Sequence, residues 1–189
     1  MKKIVIRFNA PVILTFALLS LLALLLGNWT NGATTYQYFS VYRASLSDPL
    51  TYLRFFGHVL GHADYEHYMS NMLLILLVGP GLEEKYGSGT MVWTIALTAL
   101  ITGLVHFLFF PNTVLLGASG VVFMMIVLSS FTAMRRGEIP VTLILVVIFY
   151  LGGEIMDGLF KQDSISQITH IVGGLCGLVF GFTIRRGRR

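Results

Sequence analysis

Long apolar runs divided by short polar breaks dominate the chain, and the breaks set the elements. Six stretches read as helices: 11–27, 67–82, 91–110, 118–134, 140–152 and 168–184. The clearest of them are apolar all round rather than along one stripe, the pattern of helices immersed in lipid or in other helices. The second is the least regular, because only Met72 to Leu82 is uniformly apolar, short of the ~18 residues expected of a span. If it crosses, its outer turn faces protein or water. The fifth is also short, and Pro140 suits its first turn. The first follows a basic start (Lys2, Lys3, Arg7); it is longer than a signal-peptide core and lacks a small-x-small cleavage site, so it reads as an uncleaved helix. Between the first two helices, 28–57 is polar and rich in rings (Trp29, Tyr36, Tyr38, Phe39, Tyr42, Tyr52). That density suits the headgroup layer, and the segment is too long for a simple turn, which predicts a membrane-embedded loop.

Composition agrees with this pattern. Hydrophobic residues make up 55% of the 189 and charged residues 12%, far from the ~25% charged of soluble domains, so the expected class is an all-α membrane protein. The net charge of +4 does not point to nucleic acid, because the basic residues sit at the ends of apolar segments. They read as topology signals. Six helices put both termini on one side. That side carries ten Lys and Arg (Lys2, Lys3, Arg7, Lys85, Arg135, Arg136, Arg185, Arg186, Arg188, Arg189) against three on the other (Arg43, Arg54, Lys161). The expectation is a prokaryotic cell membrane with cytoplasmic termini and the long first loop outside. The single cysteine, Cys176, lies in an apolar segment and reads as a packing residue.

Chemistry enters at Leu115-Leu116-Gly117-Ala118-Ser119-Gly120-Val121, where a hydroxyl stands between glycines at a helix start. Small residues there let a substrate backbone approach, though membrane helices use the same residues simply to pack. Depth counting from the cytoplasmic charges sharpens the pattern. Ser119 precedes Arg135 by 16 residues and His170 precedes Arg185 by 15, placing both ~23 Å above their anchors. Asn71 precedes Lys85 by 14, ~21 Å, with His67 one turn further out on the same face. Polar groups gathered at one depth in a membrane mark a functional site around a wet cavity. Gly173, Gly177 and Gly181 recur every four residues, a stripe along which the fourth helix can approach the sixth. Ser119 beside His170 is then a nucleophile with its base, and Asn71 with the Ser119 backbone N–H can hold an oxyanion. No carboxylate shares that depth on the fourth or sixth helix, so the arrangement is a dyad.

These residues resemble the rhomboid intramembrane serine proteases. The similarity runs from about Leu53 to Gly181: Arg54-x-x-x-His58-x-x-x-His62, then His67-x-x-x-Asn71, Glu83-x-x-x-Gly87, Gly117-Ala118-Ser119-Gly120, and His170-x-x-Gly173-x-x-x-Gly177. The resemblance implies a six-transmembrane-helix bundle with a membrane-embedded first external loop and a gate formed by the fifth helix and its following loop. It implies Ser119 as nucleophile, His170 as base and acid, and an oxyanion hole from His67, Asn71 and the backbone of Ser119 and Ala118. It implies structural roles for Arg54, His58, His62, Glu83, Gly117, Gly120, Gly173 and Gly177, and no cofactor. The expected partners are transmembrane segments of other proteins, within the lipid bilayer. Leu53 stands where the family usually has tryptophan, and Phe123 where many members have tyrosine. His58 and His62 could serve as metal ligands, but hydrogen bonding suits them better and no metal is expected. The alternatives are a rhomboid-like binder of membrane segments without catalysis and a small transporter, the latter lacking an internal repeat.

Overall fold

The computed structural model describes residues 8–132, 138–146, 148–149 and 164–184. Most of the topology charges named above, and 150–163 with the far end of the expected fifth helix and the gate loop, lie outside them. The described chain is helical: α1 (Pro11–Trp29), α2 (Ala33–Tyr38), α3 (Pro49–Gly57), a 3-10 turn (His58–Leu60), α4 (Tyr65–Tyr86), α5 (Ser88–Phe109), α6 (Ser119–Ser129), α7 (Val141–Val146) and α8 (Ser164–Thr183). Among the described residues there is no strand, only an isolated antiparallel bridge between Val41 and Leu115. By length and composition α1 and α5 are long and apolar enough to cross a membrane.

The second helix is longer than the apolar pattern predicts, 22 residues rather than 67–82. Its start is fixed by Asp64, whose carboxylate accepts the His67 N–H at 2.7 Å, a side-chain cap that hydrophobicity does not report. Its end is Gly87, at φ +85°, ψ 153°, a conformation that only glycine adopts easily. α5 therefore begins at once. Between them Glu83, buried, binds two other elements. Its carboxylate accepts the N–H groups of Val12 and Ile13, both at 3.1 Å, and the Ser88 hydroxyl at 2.6 Å. One acidic side chain thus holds the first turns of α1 and α5, where the helix dipole favours a negative charge.

The expected loop contains two helices that periodicity did not predict. Asp48 caps α3 through the Leu50 N–H, with Pro49 in its first turn. Arg54, 5% exposed, anchors the segment: Nε donates to the Gln37 carbonyl at 2.8 Å, one terminal nitrogen lies 3.3 Å from the Asp48 carboxylate, and the guanidinium stacks over Tyr42. Burial of such a charge demands these partners.

α6 is the reverse case, ending at Ser129 rather than running through 118–134. Hydroxyls stop it. Ser129 and Thr132 bond back to the carbonyls of Ile126 and Ser129, and Lys85 Nζ donates to the Thr132 carbonyl. The eleven residues of this helix amount to ~16 Å, and Arg135, from which depth is counted above, lies outside the described residues. α6 is nonetheless the centre of the molecule, with every residue from Gly120 to Leu128 buried. Its most extensive partner is α8. A Cβ on Gly173 would strike the Gly120 carbonyl, one on Gly177 the Met124 carbonyl, and one on Gly181 the Phe131 ring. The glycine stripe does bring the two helices together. On the other side, α5 turns Thr94, Thr98, Thr102 and His106 inward at four-residue spacing.

Candidate functional site

Ser119 is the first residue of α6, and three features place it. The Val41–Leu115 bridge, with N–H···O distances of 2.8 Å in both directions, ties the approaching segment to the first loop. Two residues on, the Gly117 N–H donates to the His58 carbonyl at 2.9 Å. Gly117 itself turns at φ +123°, a region for glycine, and a Cβ there would sit 2.8 Å from the His67 ring. The chain thus bends sharply, close against His67, before the helix begins.

α8 supplies the second group. His170 stacks on Phe123 of α6, centroids 4.3 Å apart and planes 7° from parallel, so phenylalanine keeps the ring contact. Gly120 permits the approach, since a Cβ on it would lie 3.1 Å from the Thr102 methyl and 3.3 Å from that of Thr169.

Ser119, His170, His67, Asn71, Phe123 and Leu116 line one cavity of about 310 Å³. Ser119 of α6 and His170 of α8 thus face one space from two different helices. Asn71, 6% exposed, donates its side-chain amide to the His67 carbonyl at 2.8 Å, within its own helix. A primary amide has a second N–H, and Asn71 is part of the cavity lining. Ala118, buried, is the N-cap of α6, so the N–H groups of the first turn begin next to the serine.

The two upstream histidines support this wall rather than line it. His58 Nδ1 donates to the Arg54 carbonyl at 3.2 Å, and its Nε2 pairs with the Thr102 hydroxyl at 3.3 Å. His62 Nδ1 donates to the Leu60 carbonyl at 3.2 Å, and its ring edge faces His67 at 5.0 Å and Tyr68 at 5.6 Å. His58 opens the 3-10 turn and His62 lies beyond it, outside any helix, so they do not share a helical face. Burial, above all, pushes both imidazoles down to about 4, so they are neutral at pH 7. Among the described residues no group of three or more His, Cys, Asp or Glu could hold a metal ion. Thr102 and Thr169 flank the site without having been singled out from sequence; the four-residue spacing of α5 hydroxyls was the available signal.

Comparison with known proteins fits this arrangement. A family model described as "Rhomboid domain" matches residues 49–187. Rhomboid-related protein 1 of Caenorhabditis elegans is 32% identical over 144 residues, 69% of this chain and 39% of that protein. Rhomboid-related protein 2 of Mus musculus is 27% identical over 173 residues, 78% of this chain and 56% of that protein. The chloroplastic Rhomboid-like protein 11 of Arabidopsis thaliana is 25% identical over 132 residues, 62% and 47% of the two chains. The chain spans roughly half or less of the length of these relatives. The match covers α3 to α8 with every residue of the cavity, and the chain belongs to the rhomboid family of membrane-integral proteins.

Proposed function

We propose that the chain is an intramembrane serine endopeptidase that cuts membrane-spanning segments of other proteins. The observation that supports this reading is the cavity that Ser119 and His170 line together with His67 and Asn71. Ser119 Oγ attacks the scissile carbonyl while the His170 imidazole takes its proton. The tetrahedral oxyanion is held by the second Asn71 amide N–H, by His67 and by the backbone N–H groups of Ala118 and Ser119. His170 then protonates the leaving amine, and water releases the acyl group by the same steps in reverse. The helices assemble as a six-span bundle with the first loop embedded in the membrane and both termini cytoplasmic, so that the cavity opens outward. The relatives come from worm, mouse and plant, which gives no support to a prokaryotic membrane.

The test is labelling of the purified protein by a fluorophosphonate. Wild type labels and Ser119→Ala does not; labelling that survives Ser119→Ala refutes the assignment. A second reading, a fold that holds membrane segments without cutting them, is favoured by the Asn71 amide bonded within its own helix. It predicts that wild type itself does not label.

A further inference from the structure

Away from the catalytic cavity, an apolar crevice of about 530 Å³ runs between α1 and α5. Phe16 and Leu19 line it from α1, Val92 and Ala96 from α5, and Phe56 and Leu60 from the first loop. Its rim faces outward, with Leu19, Val92 and Phe56 all about half exposed. Along α5 the lining runs from Ser88 to Ala99, twelve residues rising ~16 Å, which matches one leaflet of a ~30 Å hydrocarbon core. At its Ser88 end the crevice shares Pro11 and Ser88 with a second, polar cavity of about 760 Å³. Asn9, Glu83 and Glu84 are on the walls of that cavity. The two spaces adjoin at these residues, the one apolar and the other polar.

We propose that these adjoining spaces are a binding site for one diacyl phospholipid of the leaflet that meets the start of α1. An acyl chain lies between α1 and α5 and the headgroup sits in the polar cavity. Two observations select this occupant over a protein helix. The length of the crevice is that of a single chain. The polarity change lies at one end only, as in a lipid. The bound lipid would fill the gap between α1 and the first loop, so its effect is on how firmly that loop is seated.

Native mass spectrometry of the full chain tests this, with palmitoyl-oleoyl phosphatidylethanolamine added in mixed micelles. Wild type retains one lipid at collision energies that strip the rest. Ala96→Trp fills the crevice and loses that adduct, while Leu77→Trp, on a 76% exposed position of α4 outside it, keeps it. Should Ala96→Trp not fold, Val92→Trp at the open rim carries the same expectation. An adduct as tenacious in the crevice variants as in wild type overturns the site. So does its absence from wild type, and a dimer in its place assigns the crevice to a second copy.

Discussion

Replacing Gly173 by alanine adds a single methyl group where α8 crosses α6. An ideal Cβ at that position lies 2.8 Å from the carbonyl carbon and 2.9 Å from the Cα of Gly120, and nearer still to its oxygen. All of these are backbone atoms, which cannot rotate away, so α8 must withdraw by on the order of 1 Å to reach ordinary van der Waals distance. Overpacking of this kind costs about 1–3 kcal/mol, offset in part by the ~1 kcal/mol that alanine gains over glycine in a helix. The larger effect is on geometry. His170 is one turn from Gly173 and Ser119 is next to Gly120, so the withdrawal opens the serine–imidazole pair directly. A misplacement of ~1 Å can cost about 10²-fold in rate. The expected outcome is a folded protein, melting slightly lower in detergent, whose fluorophosphonate labelling falls by about that factor. Gly81→Ala is the control, since a Cβ there meets nothing within 4 Å. Labelling of Gly173→Ala at the wild-type rate with unchanged melting would refute the argument that packing and alignment depend on the same methyl-sized gap.

Other outcomes follow from the same structure. Arg54→Lys loses the forked contact with Gln37 and Asp48 and lowers stability by about 2 kcal/mol, measured by thermal unfolding in detergent. Phe123→Leu removes the ring under His170 and slows labelling several-fold, by about 0.5–1.5 kcal/mol, while leaving melting little changed; Phe123→Tyr does not slow it. His62, held down to about 4 when folded and near 6.5 when unfolded, binds its proton first in the unfolded chain. The stability it contributes is therefore full above pH ~6.5 and lost as pH falls toward 4, and His62→Gln should flatten melting temperature against pH in that window.

The long apolar helices were legible because lipid and core ask the same thing of α1, α5 and α8. What failed at the boundaries failed for local reasons. The start of α4 is polar because Asp64 caps it and His67 faces the cavity, and neither raises a hydrophobicity profile. α6 looked longer because its apolar run continues past Ser129, where hydroxyl-to-carbonyl bonds end the helix. The helices of the first loop were illegible because they depend on Arg54, whose partners lie 6 and 17 residues away. Ser119, His170, His67 and Asn71 emerged from spacing, and they do share a cavity, although the depth count that joined them assumed an unbroken helix. The closeness of α6 and α8 comes instead from Gly120 meeting Gly173. The Asn71 bond to the His67 carbonyl had no sequence signal, since an asparagine turned on its own helix looks like any other.

Glu83 has a consequence for where this protein can be cut. The family similarity begins at residue 49, beyond α1, which suggests a smaller unit that could be expressed alone. Without α1, however, the buried carboxylate loses the two N–H groups of Val12 and Ile13, Tyr68 loses its acceptor at the Ala17 carbonyl, and Gly79 faces an empty space where Ile13 packed. A stranded buried charge alone costs several kcal/mol, comparable to the whole stability of many domains. The edge of recognisable similarity therefore falls inside the cooperative unit, and a fragment trimmed to it is expected to aggregate rather than fold.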